Sequence, residues 1–233
     1  MQVVGEGEGE GGPDLHLVVV IPAFQAAATI GDVVARVRAA APGASIVVVN
    51  DGSNDGSYSS LAETVLVHDK NLGKGAALRD GITAAVGAGA SIVVTLDADG
   101  QHPPEEIPRL IRPITERRSD LVLGARQRNG GMPLPRRFTN WLSASLATRI
   151  GGQRVQDAQT GFRAFTRAVA ERVQPGGDRY EYEANFLLEA LRAGFRVTSV
   201  EVPTIYGASA RSHFRSWSDS WRMARAFARH LSR

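Results

Sequence analysis

The sequence contains no cysteine. Disulfides and thiolate-held metals are therefore excluded, and any metal must sit on oxygen or imidazole. A long apolar run is missing too. The stretch over residues 17–21 is short, and nothing else approaches the ~20 consecutive apolar residues that a spanning helix needs, so the chain is not expected to cross a bilayer. Residues 5–12, with Glu6, Glu8 and Glu10 among glycines, lack the basic and apolar regions of a signal peptide. Residues 1–14 read instead as a flexible acidic Gly/Glu tail, and a cytoplasmic location is expected. Charged residues make up only 22% of the 233-residue chain, against 43% hydrophobic, which excludes extended disorder and leaves one sizeable core.

What is present alternates. Apolar runs at 18–21 and 46–49 have the character of strands buried on both faces. Between them Thr29 is placed to cap a helix with Ile30, Val33, Val34 and Val37 on one side. The pattern repeats with strands at 65–67 and 92–96 around a helix at 74–86, then a helix from Pro103-Pro104 to about 116 and a strand at 121–123. Later come helices at about 136–150 and 181–193, with strands near 161–165 and at 197–202. This predicts a single α/β domain whose parallel strands end along one edge, where such sheets bind ligands. No repeat or linker divides it.

Net charge is +3, an average over an acidic tail and two basic regions, 109–137 and 211–233. The last segment, 216–233, sets Trp217, Trp221, Phe227 and Leu231 beside Arg222, Arg225 and Arg229. That is the composition of an interfacial amphipathic helix and equally of a terminal helix packing its aromatics on the core. Other arginines solvate helix faces, and no nucleic-acid partner is expected.

Asp97-Ala98-Asp99 directly follows an apolar strand, and a turn at Gly100 lets both carboxylates face one crevice. Paired carboxylates suit Mg²⁺ or Mn²⁺, with phosphates and water completing the shell. The plainer reading is a polar strand exit, because Asp favours turns. Asp51 ends a neighbouring strand in Val49-Asn50-Asp51-Gly52-Ser53, where a carboxylate and backbone amides suit a base or ribose. Asn71-Leu72-Gly73-Lys74-Gly75 opens a helix and offers Lys74 to a phosphate at the positive helix end. Its glycine spacing is not that of a P-loop. Arg126, Arg128, Arg136 and Arg137 bracket a Gly- and Pro-rich stretch at 129–135, read as a loop over the site whose guanidinium forks match phosphate, the alternative being a basic surface loop.

Taken in order, Ile21-Pro22-Ala23-Phe24, Val49-Asn50-Asp51-Gly52-Ser53, Asn71-Leu72-Gly73-Lys74-Gly75, Asp97-Ala98-Asp99-Gly100-Gln101-His102-Pro103 and Gly124-Ala125-Arg126 resemble family 2 glycosyltransferases of the GT-A fold. Within that family, Asp157-Ala158-Gln159-Thr160-Gly161-Phe162-Arg163 and Val202-Pro203 followed by Ser212-His213 are similar to the dolichol-phosphate mannose synthase and polyprenyl-phosphate glycosyltransferase group. The resemblance implies a Rossmann-like, mixed and mostly parallel sheet flanked by helices, over about 15–215. It implies an inverting, metal-dependent transfer of mannose or glucose from a GDP- or UDP-hexose to a polyprenyl or dolichyl phosphate. The alternative is transfer to a sugar hydroxyl in cell-wall or exopolysaccharide synthesis.

By the same resemblance Pro22, Ala23, Phe24, Asp51, Lys74, Asp97 and Ala98 line the nucleotide pocket, while Asp97, Asp99 and Gln101 hold Mg²⁺ or Mn²⁺. Asp99, Arg126 and Asp157 carry the chemistry, and Arg126, Arg136, Arg137, Arg163 and Arg211 face donor or acceptor phosphate. A phosphate acceptor needs no general base, since its second ionisation lies near pH 6; a hydroxyl acceptor would call on Asp157, Glu181 or Glu183. Two departures stand out. Gln25-Ala26 replaces the Asn-Glu common after the aromatic, and no C-terminal membrane helices follow within the 233 residues. The chain is therefore expected to lie peripherally on the inner membrane face through 216–233, a position compatible with a small anchoring partner or a second copy. Rival readings fit less well. A haloacid-dehalogenase-type phosphatase wants Thr or Val at position 101, a nucleotidyltransferase wants a Gly/Arg-rich signature after the first strand, and a nucleotide-binding scaffold predicts binding without transfer.

Overall fold

The computed structural model describes residues 15–56, 62–126, 134–179 and 181–203, with backbone alone at 134–139 and 142. The expected tail over 1–14 and helix over 216–233 lie outside them.

Seven strands form one sheet: β1 (Leu17–Ala23), β2 (Ser45–Asn50), β3 (Thr64–Val67), β4 (Ile92–Thr95), β5 (Leu121–Arg126), β6 (Arg163–Thr166) and β7 (Val197–Val202). Among the described residues six α-helices and a 3-10 turn (Pro104–Glu106) accompany them: α1 (Ile30–Ala40), α2 (Lys74–Gly87), α3 (Ile107–Thr115), α4 (Leu134–Gly151), α5 (Arg167–Arg172) and α6 (Glu181–Arg192). The strand order is β3-β2-β1-β4-β6-β5-β7. All neighbours run parallel except β6, which lies antiparallel to both β4 and β5.

Two-residue periodicity divides the core. On β1, Val18 and Val20 face a cluster with Ala77, Leu78 and Ile82 of α2 and Leu187 and Leu188 of α6. Val19 and Ile21 face the opposite layer, against Val33, Val34 and Val37 of α1 and Ile107 and Leu110 of α3. Helices on both faces explain why the strands read as continuous apolar runs rather than alternating ones.

Two local expectations change. Thr29 makes no side-chain cap on α1. Its hydroxyl donates instead to the Ala98 carbonyl at 2.7 Å, tying the start of the helix to the exit of β4. α5 is a further helix, capped by Thr166, whose hydroxyl accepts from the Val169 amide. Its six residues are too few to show a helical period.

Candidate active site

The carboxyl ends of β1, β2 and β4 converge. The Asp51 amide donates to the Ala23 carbonyl at 2.8 Å and the Leu96 amide to that of Val20 at 3.1 Å, which brings the two acidic strand exits to either side of β1. Pro22 and Ala23 are buried between them and Phe24 is half-buried. Beyond Phe24 the chain turns sharply, with Gln25 in the left-handed region at φ 52°. The Gln25 amide donates to Ser53 Oγ at 3.0 Å, and the Ser53 amide donates to Asn50 Oδ1 at 2.9 Å. These bonds pin the two loops to each other.

Asp51 is buried, and its carboxylate is closely surrounded by donors. Oδ1 accepts from the Leu72 amide at 2.8 Å and faces His68 Nδ1 at 2.7 Å, while Oδ2 accepts from the Gly73 amide at 2.8 Å. The other ring nitrogen, His68 Nε2, lies 3.0 Å from Asp80 Oδ2 on α2.

The start of α2 differs from the expected open phosphate site. Its next amides, Gly75 and Ala76, donate to the Asp178 carbonyl at 2.9 and 3.2 Å. Gly73 is required for that approach: its φ is 107°, and a Cβ there would lie 2.2 Å from the Asp178 oxygen. With these helix-start amides filled by protein acceptors, Lys74 turns toward the sheet. Its Nζ lies 2.7 Å from Asp97 Oδ1 and 3.1 Å from Glu183 Oε1. Burial disfavours the ammonium, but the two carboxylates override it and hold Lys74 above the ordinary lysine range.

Asp97 is half-buried and Asp99 is exposed. Burial alone would raise Asp97; Lys74, His102 and Arg126 override it and keep the carboxyl below its usual range. Asp99 is raised, by burial and then by the charge of Asp97. Two carboxylates that repel one another in this way form a donor pair whose charge a divalent cation would neutralise. Gln101 contributes its backbone amide, which donates to Asp99 Oδ1 at 3.0 Å. Among the described residues no group of three or more His, Asp or Glu suits a metal. The donor set fits Mg²⁺ or Mn²⁺ bound by one or two carboxylates and completed by phosphates and water, and does not fit a metal caged by protein alone. Beneath it His102 is buried against the Phe162 ring at 5.6 Å, and burial, with Arg126 and Lys74 nearby, pushes its pKa down to about 4.

Arg126, at the end of β5, forms a two-pronged pair with Asp157: Nε donates to Oδ2 at 2.7 Å and a terminal nitrogen to Oδ1 at 3.1 Å. Asp157 is buried, which alone would raise it, yet Arg126 and the Gln159 amide hold it below the usual carboxylate range. It therefore faces a cation rather than standing free as a proton acceptor. Glu183, expected to be either solvated or a base, is buried and paired with Lys74. Arg163 requires a correction. Expected to face phosphate, it is buried with its guanidinium donating to the carbonyls of Thr160, Ala158 and Glu183. Arg136 and Arg137 begin α4, but their side chains, like Arg211 altogether, lie outside the described residues.

His68 and the Asp178 carbonyl went unsuspected in the sequence. Each reaches its partner across a span of chain with no local signature: His68 meets Asp51 at a separation of 17 residues.

With this geometry in hand, the family described as Glycosyl transferase family 2 matches residues 18–174. Among curated proteins, the chain is 30% identical over 219 residues to a UDP-N-acetylglucosamine–dolichyl-phosphate N-acetylglucosaminyltransferase of Methanococcus voltae, covering 83% of this chain and 87% of the relative. It is 31% identical over 229 residues to a polyprenol monophosphomannose synthase of Mycolicibacterium smegmatis, covering 88% and 85%. Among solved structures, the glucosyl-3-phosphoglycerate synthase of Mycobacterium tuberculosis, crystallised with Mn²⁺, UDP and glucosyl-3-phosphoglycerate, superposes with a TM-score of 0.74 at 22% identity. That match covers 94% of this chain and 81% of the synthase, and supports the GT-A fold.

Proposed function

The chain belongs to glycosyl transferase family 2, and on that premise we propose that it transfers a hexose, with inversion, from a nucleotide diphosphate sugar to a polyprenyl or dolichyl phosphate. Of the two curated relatives described above, one names dolichyl phosphate and the other is named a synthase of polyprenol monophosphomannose.

The observation that carries the phosphate acceptor is the engagement of the candidate bases. Asp157 is held by Arg126 and Glu183 by Lys74. A hydroxyl acceptor must surrender a proton during attack, whereas a phosphate, ionised a second time near pH 6, already presents an anionic oxygen. Positioning and charge neutralisation then suffice.

Asp97 and Asp99 would hold the divalent cation, with Gln101 beside them, and the bound cation would offset the charge developing on the departing nucleoside diphosphate. Lys74 stands where it can add positive charge next to the same carboxylate. Pro22, Ala23 and Phe24 form the floor for the base and Asp51 its polar edge. Arg126 stands at the end of β5, where Asp157 fixes the plane of its guanidinium fork. Arg136, Arg137 and Arg211 would meet donor or acceptor phosphates, with residues 216–233 laid on an anionic inner membrane surface. The described residues include no helix long and apolar enough to cross a membrane.

A second reading, transfer to a sugar hydroxyl, is favoured by one feature. Glu181 Oε2 is buried without a hydrogen-bond partner among the described residues, at the start of α6. Incubating the chain with nucleotide sugars, Mg²⁺ or Mn²⁺, and either polyprenyl phosphate or a neutral glycoside separates the two. Lipid-linked product supports the first reading; product on the glycoside alone supports the second.

A further inference from the structure

The surroundings of Asp51 restrict what its carboxylate can recognise. An ionised carboxylate only accepts, and each of its oxygens offers about two acceptor positions. On Oδ1 both positions are filled, by the Leu72 amide at 2.8 Å and by His68 Nδ1 at 2.7 Å. On Oδ2 the Gly73 amide at 2.8 Å fills one. Among the described residues this leaves a single acceptor position, on Oδ2.

The occupants of Oδ1 differ in what fixes them. Leu72 and Gly73 belong to the loop that opens α2, which is anchored by Gly75 and Ala76 on the Asp178 carbonyl. His68 follows β3, where its own amide donates to the Asn50 carbonyl at 2.9 Å. Its ring is locked by Asp80 on the far side, with Nε2 3.0 Å from Oδ2. Each ring nitrogen thus faces an accepting carboxylate oxygen, Nδ1 that of Asp51 and Nε2 that of Asp80. The ring therefore closes Oδ1 from a fixed direction, and the side chain is only 10% exposed.

Nucleobases differ in how many donors they set side by side. Guanine presents its N1–H and exocyclic amine together, and a carboxylate takes that edge with both oxygens at once. Uracil presents one ring N–H between two carbonyls, and a single free acceptor position satisfies it. A buried donor left without a partner weakens binding.

We propose that His68 is a positioning residue that closes one oxygen of Asp51, so that the carboxylate accepts a single base N–H and the chain selects uridine over guanosine diphosphate sugars. This rests on the reading above in which Asp51 faces the base.

The test is titration calorimetry of the full chain with UDP and with GDP in the presence of Mg²⁺, for wild type, His68→Phe, His68→Asn and Asp51→Asn. Wild type should bind UDP at least about tenfold more tightly than GDP, the scale of one well-placed base contact. His68→Phe, which opens Oδ1, should bring the two affinities to within about threefold of each other. His68→Asn, which can still donate to Oδ1, should keep most of the preference. A purely structural role for His68 would weaken both ligands together and leave the ratio unchanged, which overturns the proposal, as does a wild-type preference for GDP. Asp51→Asn separates the layers. If it leaves UDP affinity intact, Asp51 is not the base contact and the underlying reading fails. If it costs UDP affinity while His68→Phe preserves the ratio, only the role of His68 fails.

Discussion

Gly161 stands where it does because Asp97 fills the space a side chain would take: a Cβ at 161 would fall 2.7 Å from Asp97 Oδ1 and 2.8 Å from Oδ2. Nearby, the Gly161 carbonyl accepts from the Thr95 hydroxyl at 2.8 Å, so the backbone on which the carboxylate rests is itself fixed to β4. Gly161→Ala should therefore displace Asp97 from Lys74 and from the position in which it is proposed to meet a metal. Turnover is expected to fall about 10²-fold, the scale of an ångström-sized misplacement. The check is kcat measured alongside a melting curve; unchanged turnover in a folded variant would show that the contact is not needed.

Lys74 holds two carboxylates together, Asp97 and Glu183. Lys74→Ala leaves both in a largely buried site without their cation, and is expected to cost about 3 kcal/mol of stability, the lower end for breaking a buried pair. Urea unfolding measures this. The companion Lys74→Arg should recover much of the loss, since it restores the charge.

The Arg126–Asp157 pair sets an acid limb. The folded carboxyl of Asp157 lies below its ordinary range because of Arg126, despite burial. A depressed carboxyl contributes stability that is fully present above the unfolded value near 3.9 and is lost as pH falls through the folded value. Wild-type stability should thus decline below about pH 4. Asp157→Asn should be less stable at neutral pH and show a shallower decline on acidification, which urea midpoints across the acid range would report.

Residues 216–233 combine Trp217, Trp221 and Phe227 with Arg222, Arg225 and Arg229. Truncation before Trp217 should abolish co-sedimentation with anionic vesicles while leaving nucleotide binding in place. Equal sedimentation of the truncated and full chains would remove the membrane role.

Strands and helices were legible because burial on two faces leaves unbroken apolar runs, and 18–21 and 46–49 sit inside β1 and β2. Pairing was not. The sequence of β6 gives no sign that it enters between β4 and β5 in the opposite direction, because pairing depends on partners distant in sequence. The acidic strand exits at Asp51 and Asp97 could be read from their position after apolar runs. The ion-pair network around them could not: Lys74, which meets Asp97, also meets Glu183 over a hundred positions away, and Arg163 looked like a phosphate ligand because a buried arginine on backbone carbonyls has the same letter as an exposed one. His68 lacked any signature because its role comes from α2 carrying Asp80 back to the end of β3.

Asp97 and Asp99 are the pair proposed to support transfer of sugar to a lipid phosphate. Asp99 is exposed and its side chain makes one local bond, to the Gln101 amide. Its removal should leave the fold intact. The most direct measurement is formation of lipid-linked sugar from nucleotide sugar and polyprenyl phosphate by wild type and Asp99→Ala, with and without Mg²⁺ or Mn²⁺. Metal-dependent product is expected from wild type, with a loss of about 10²-fold or more in the variant at unchanged melting temperature. A fully active Asp99→Ala protein would contradict that role.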